Sequence, residues 1–214
     1  MRATSVHRQK PPKLHRPPPA NNFGADYFRR FYLDPKTRVV SGGEMRSRAA
    51  VIASLLGHIQ IPVRRILDAG CGLGLLRGPL ADLYPRARYS GLESSPYLCE
   101  RFGWILGSVT DFAPSKPFDL TICYDVLQYL TDAQAARAIA NFARLTRAAL
   151  YVSALTAEDW RDNCDRSRTD RDVHLRSGAW YRRRLLRSFR YIGVGVWLRK
   201  DVAATLWDME QPWA

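Results

Sequence analysis

Ile66-Leu67-Asp68-Ala69-Gly70-Cys71-Gly72-Leu73-Gly74-Leu75-Leu76 is an apolar run that ends in an acid, opens onto glycines at alternate positions, and resumes as a new apolar pattern. That order predicts a buried strand, a bend with no side chains to obstruct a ligand, and a helix N-terminus facing the bend. Gly70, Gly72 and Gly74 let backbone approach a bound molecule closely and take φ values that a Cβ would resist. The bend therefore marks a ligand site at the end of a first parallel strand.

Leu75 stands where the Gly-x-Gly-x-x-Gly fingerprint of dinucleotide sites would need its third glycine, and no Gly-Lys-Ser/Thr follows to cradle a phosphate. Further segments fall at strand-helix spacing downstream. Ala87-Arg88-Tyr89-Ser90-Gly91-Leu92-Glu93 reads as a second strand ending in an acid, whose two oxygens can accept a pair of hydroxyls. Trp104-Ile105-Leu106-Gly107-Ser108-Val109 reads as a third strand and its turn. Phe118 to Tyr124 reads as a fourth strand, with the loop Asp125 to Leu130 after it. Together, over residues 45–155, these segments resemble the class I methyltransferases that use S-adenosylmethionine; Asp-x-Gly-x-Gly-x-Gly is similar to that family's motif I.

The resemblance implies a doubly wound α/β fold: a mostly parallel seven-stranded sheet with helices on both faces and an antiparallel C-terminal strand. It implies S-adenosyl-L-methionine as cofactor and S-adenosyl-L-homocysteine as product. Asp68 would orient the bend, and Gly70, Cys71 and Gly72 would offer backbone groups to the cofactor's amino-acid end, with Gly74 completing the bend. Glu93 would hold the ribose with help from Ser94, while Ser108 and Val109 would meet the adenine edge. Ser108 departs from the commonest family pattern, which has an acid directly after the glycine. Asp125 would lie where substrate and methyl meet, contacting the cofactor's ammonium or acting as general base, beside the plainer reading of an acid that caps a turn. Gln128 and Tyr129 would line the acceptor pocket. Asp125-Val126-Leu127-Gln128 lacks the Asp/Asn-Pro-Pro-aromatic of the family's amino-methylating nucleic-acid enzymes, which counts against adenine or cytosine amino groups as acceptors.

With 214 residues and 46% apolar content, the chain suffices for one α/β domain with short additions. No segment approaches the ~18–20 apolar residues that span a bilayer. Cys71, Cys99, Cys123 and Cys164 are scattered, and they read as reduced fillers of a cytoplasmic enzyme rather than zinc ligands. Asp162, Asn163, Asp165, Asp170 and His174 match no known ligand spacing, so no metal is expected. The net charge of +13 sits at the flanks: residues 1–20 carry +5, residues 161–200 carry +8, residues 21–160 only +3, and residues 201–214 carry −3.

Residues 1–22 are basic and rich in proline, which predicts a disordered tail. Residues 23–60 predict a helical cap, with the aromatic cluster Phe23, Tyr27, Phe28, Phe31 and Tyr32 and then a helix over Glu44 to Ile59. Phe28 and Phe31 read as rings packed on the core, Tyr27, Tyr32 and Arg38 as part of a cover over the cofactor. Residues 61–200 form the cofactor-binding domain, with an insertion near 159–181, and 201–214 a C-terminal tail. Within the domain, helices are expected over Leu75 to Leu83, Pro96 to Phe102, Asp132 to Thr146 and Ser177 to Leu186. A fifth strand is expected over Ala148 to Leu155, and the last strands over Phe189 to Arg199.

A methyltransferase acting on a small molecule is the leading reading, as a monomer or homodimer. Its candidate catalytic residues are Asp125, Tyr129 and His174. An RNA or other macromolecular acceptor is the second reading, drawn from the flanking charge; a protein that binds the cofactor without turnover is the third.

Overall fold

The computed structural model describes residues 23–210. The expected tail over 1–22 and residues 211–214 lie outside the described residues. The chain opens with α1 (Ala25–Phe28), which widens into a π turn over Arg29–Leu33, and α2 (Gly42–His58). There follow β1 (Arg65–Ala69), α3 (Arg77–Leu83), β2 (Arg88–Glu93), α4 (Pro96–Phe102), β3 (Ile105–Leu106) and β4 (Phe118–Tyr124). Then come α5 (Asp132–Leu145), β5 (Thr146–Ser153), α6 (Ala157–Asp162), α7 (Gly178–Leu185), β6 (Phe189–Gly193) and β7 (Val196–Arg199).

The strands form one seven-stranded sheet in the order β3-β2-β1-β4-β5-β7-β6. The pairings among β1 to β5 are parallel, and β7 runs antiparallel between β5 and β6, as the resemblance implied. Alternation along each strand divides the interior into two cores. Ile66, Leu120 and Ile122 pack with Met45, Ile52 and Leu56 of α2 and Leu80 of α3, while Leu67, Cys123 and Leu150 pack with Phe142 of α5 and Leu185 of α7. Among the described residues no helix is long and apolar enough to cross a membrane.

Local chemistry sets the element ends. The Ser41 side chain accepts from the Glu44 N–H while the Glu44 carboxylate accepts from the Ser41 N–H, a reciprocal cap that starts α2. Thr131 and Gln134 do the same for α5. Buried Asp119 accepts the N–H groups of Arg64 (2.8 Å) and Arg65 (2.9 Å) and pairs with the Arg147 guanidinium, which fixes where β1 enters the sheet beside β4.

Three departures from expectation have physical causes. The helix after β1 begins at Arg77 because Leu73–Leu76 continue the bend, with Gly74 N–H donating to Cys71 C=O at 2.8 Å and Arg77 N–H to Gly74 C=O at 3.0 Å. The third strand shrinks to Ile105–Leu106 because Trp104 turns inward. Its indole lies against Gly74 and Gly91 so closely that a Cβ would stand 2.6 Å and 2.7 Å from ring atoms, and its N–H donates to the Gly72 carbonyl at 3.0 Å. Residues 201–210 also interact with the domain: Val202, Ala204 and Leu206 pack on the first core, and the Arg190 guanidinium donates to the Val202 and Ala204 carbonyls.

Gly91→Ala places a methyl 2.7 Å from both the Cys71 sulfur and the Trp104 ring. Urea unfolding is expected to register a loss of ~1–3 kcal/mol, because the wedge has no direction in which to relax. An unchanged midpoint would contradict this packing.

Candidate active site

The bend after β1 is tied to the end of β2 by one carboxylate. Glu93 Oε2 accepts the Gly72 N–H at 2.8 Å, and Oε1 accepts the N–H groups of Ser94 (2.8 Å) and Ser95 (3.0 Å) with the Ser94 hydroxyl at 3.3 Å. A carboxylate has about four lone-pair sites, so Oε2 keeps one open. The N–H groups of Gly70 and Cys71 both donate to the Leu92 carbonyl. The N–H groups at 70 to 72 are thus all committed within the protein, and the backbone groups the bend has left to offer are carbonyl oxygens. Gly74 likewise gives its open face to Trp104. Gly72, at φ +52°, is different: the nearest atom to a Cβ built there is Phe28 Cε1 at 4.0 Å, so the bend is a shallow cradle at that point.

Asp68 lies beneath the bend, buried, with the Tyr89 hydroxyl donating to it at 2.6 Å. Burial pushes its pKa up to about 7; the nearby Glu93 charge adds to the rise, and the Tyr89 hydrogen bond opposes it. Asp68, Gly70, Cys71, Gly72 and Tyr124 line a cavity of about 40 Å³ that Tyr32 closes from above.

A second cavity of about 190 Å³ lies past Tyr32, lined by Tyr27, Tyr32, Asp125, Gln128, Tyr129 and Asp170 among others. Asp125 follows β4 in the left-handed region, φ +54°, its N–H held by the Ser153 carbonyl at 3.0 Å. A non-glycine residue held there is the kind of local strain that packed surroundings must sustain. Burial raises the Asp125 pKa, while the Tyr124 and Gln128 side chains and the Arg48 charge pull it back. Gln128 Nε2 donates to Asp125 Oδ1 at 3.4 Å.

The aromatic segment contributes to the lining of both cavities. The hydroxyls of Tyr27 and Tyr129 are 2.9 Å apart, the Phe23 ring meets Tyr129 edge-on at 5.3 Å, and Ser95 Oγ donates to the Phe23 carbonyl at 2.7 Å. Phe28 and Phe31 are buried as packed rings, yet Phe28 is also the ring above Gly72, so packing and covering are one role. Arg38 is exposed.

Of the expected residues, Asp68, Gly70, Cys71 and Gly72 meet in the first cavity, and Asp125 and Tyr129 in the second. Ser108 and Val109 sit on a loop whose backbone is fixed by Asn141, which donates to the carbonyls of Val109 (2.9 Å) and Phe112 (3.0 Å). His174 lines neither cavity: its residue is exposed, and it is held through its backbone, its N–H donating to the Gln128 carbonyl at 2.7 Å.

Sequence reasoning missed Arg176. It is 5% exposed, pairs with Asp132 at 2.7 Å, and donates to the carbonyls of Leu127 (3.0 Å), His174 (3.2 Å) and Leu130 and to the Tyr181 hydroxyl (3.1 Å). One guanidinium thereby fixes the loop that carries Gln128 and Tyr129. Arg48, also missed, lies over the Tyr124 ring at 4.0 Å and donates to the Tyr151 hydroxyl.

A protein-family model described as a methyltransferase domain matches residues 66–149. Among curated proteins, the chain is similar to a trans-aconitate 2-methyltransferase of Streptomyces avermitilis, 31% identical over 99 residues, covering 39% of this chain and 37% of the relative. It thus spans little more than a third of the length of that relative. Among solved structures it is similar in fold to Streptomyces venezuelae DesVI, with TM-score 0.60, 19% identity, and coverage of 82% of this chain and 97% of that one. Magnesium protoporphyrin IX methyltransferase from Synechocystis, solved with bound SAM, gives TM-score 0.55 and 19% identity over 82% of this chain and 90% of that one.

Arg176→Met leaves several buried carbonyls without a donor, so thermal or urea unfolding is expected to lose about 3–5 kcal/mol; a loss under ~1 kcal/mol would mean water replaces the guanidinium. Asp68 binds a proton in the folded chain at a pH where the unfolded chain has released it, so it lowers stability as pH rises from its ordinary 3.8 through about 7. Asp68→Asn is therefore expected to gain on the parent as pH rises, exceeding it by more near pH ~8 than near pH ~5 in ligand-free melts. Parallel curves at both values would refute the buried-acid assignment.

Proposed function

We propose, from a chain whose residues 66–149 belong to the class I S-adenosylmethionine-dependent methyltransferase family, that the protein moves a methyl group from S-adenosylmethionine to a small-molecule acceptor. The observation that carries this reading is the pair of adjoining cavities. One lies on the glycine bend, the other at Asp125, and Tyr32 lines both.

The residues fit the cofactor. Asp68 is a buried acid pushed up to about 7 by the lack of solvent, and an ammonium beside it would offset that burial. The Gly72 cradle and the carbonyls of the bend suit the amino-acid end, since an ammonium is a donor and the N–H groups there are already committed. Glu93 would hold the ribose through the open site on Oε2, and a second hydroxyl would displace the weak Ser94 Oγ contact at 3.3 Å. Ser108 and Val109 would border the adenine.

When bound, the cofactor supplies an electrophilic methyl carbon on a sulfonium that leaves as a neutral thioether. The protein therefore has to position and to deprotonate. Positioning alone accounts for ~7–11 kcal/mol of barrier in such displacements. The Tyr27–Tyr129 contact and the packed rings of the 23–40 segment exclude water. Asp125, held by Gln128 and raised by burial, is the carboxylate suited to take a proton from the acceptor. The named acceptors of the relatives, trans-aconitate and magnesium protoporphyrin IX, differ from each other, so neither is carried over. A cavity of only about 190 Å³ supports a small acceptor over an RNA.

Calorimetric titration with S-adenosylmethionine tests the reading. Gly72→Arg fills the cradle and Glu93→Ala removes the clasp, and each is expected to weaken binding at least about a hundredfold, some 2.7 kcal/mol. Melting curves taken alongside separate lost binding from lost fold. Normal affinity in a folded Gly72→Arg protein would overturn the site.

A further inference from the structure

The chain carries a net charge of +13, yet among the described residues no Lys, Arg or His lines the cavity at Asp125. Its charged lining is Asp125 and Asp170. Its uncharged polar lining includes the phenols Tyr27, Tyr32 and Tyr129, and burial raises the pKa of all of these, so they stay neutral with their ring faces intact. Gln128 supplies an independent indication. It is 4% exposed, its Nε2 is turned to Asp125 Oδ1, and its Oε1 is buried with no hydrogen-bond partner in the protein. The amide is thus oriented by its own donor, and the group left over is a buried, unpartnered acceptor on a residue that lines the cavity. A buried acceptor without a partner is costly, and a ligand's N–H is the kind of group that satisfies it.

An anionic ligand would meet two carboxylates and a carbonyl oxygen here, all repulsive. A neutral alcohol has a single donor. An ammonium has several, it is attracted by the carboxylates, and aromatic faces favour it further. The positive charge nearest Asp125 does not cancel this pattern: Arg48 is engaged with the Tyr124 ring and the Tyr151 hydroxyl and lines neither cavity. Asp159 adds negative charge from the α6 side.

We infer that the acceptor is a small amine, bound as its ammonium by Asp125, Asp170 and Gln128 Oε1 within the tyrosine rings, and that the reaction is N-methylation. The inference rests on the methyltransferase reading above for its chemistry, while the amine preference of the cavity stands on its own lining. In the step, the ammonium gives a proton to the Asp125 carboxylate, and the freed nitrogen lone pair forms the N–C bond to the sulfonium methyl. The C–S bond breaks with both its electrons returning to sulfur. The product is the protonated N-methylamine, with a neutral thioether and a protonated Asp125 that returns its proton to water.

The test is binding, not turnover. The full chain is titrated with benzylamine, benzyl alcohol and benzoate, three probes of one shape and different charge, by calorimetry and by ligand-observed NMR. Benzylamine is expected to bind at least about tenfold more tightly than the alcohol, with benzoate the weakest. Asp170→Asn and Gln128→Leu are each expected to reduce benzylamine affinity severalfold while leaving benzyl alcohol little changed, a split that general loosening of the fold would not produce. Equal affinity for the three, tighter binding of benzoate, or no binding of benzylamine overturns the inference. A parallel titration with S-adenosylhomocysteine keeps the two readings apart: its failure counts against the donor site, and the order of the three probes still judges the amine.

Discussion

The carboxylate of Glu93 is the constraint on which the site depends. The β1–β2 pairing and the Leu92 carbonyl bring the bend beside the end of β2, but the N–H groups just beyond them still need an acceptor that satisfies them. Glu93 does so at Gly72, Ser94 and Ser95 together. Charge-assisted bonds of this kind are roughly twice as strong as neutral ones, and their geometry is less forgiving. Everything around the bend takes its position from this bond set: the cradle at Gly72, the start of α4 at Ser95, and through Ser95 Oγ the carbonyl of Phe23 at the head of the aromatic cover.

A second set of bonds organises the acceptor side in a comparable way, with the charges reversed. There a buried cation, Arg176, gathers the carbonyls of the loop after β4. The bend therefore has an anion collecting backbone donors, and the loop has a cation collecting backbone acceptors. Between them Tyr27 and Tyr129 meet across the chain, and Tyr32 lines both cavities.

The sheet and the glycine bend were legible because their signals are local. An apolar run followed by alternate glycines, an acid at the end of each of two strands, and serine or threonine three residues before a reciprocal partner are all patterns that a reader of the sequence can see. The acceptor side was legible only in part. Arg176 stands in an arginine-rich region where a solvated side chain is the ordinary expectation, and nothing nearby signals the carbonyls it meets. Tyr27 and Tyr129 are 102 residues apart. Helix α6 carries Ala-Glu-Asp-Trp-Arg-Asp, with no apolar period, and is held instead by the Thr156 cap and the short bridge between Thr156 and Arg176. Trp104 read as a strand residue because its role needs two glycines from other segments to make room for it.

That wedge has an optical consequence. The indole of Trp104 is bonded to the Gly72 carbonyl, stacks on Phe102 at 5.9 Å, and has the Arg77 guanidinium 5.5 Å from its ring. Indole emission is sensitive to just such a dipole and such a charge. A molecule that settles on the bend and turns that carbonyl changes the field across the ring, so the protein carries its own chromophore one hydrogen bond from its cradle.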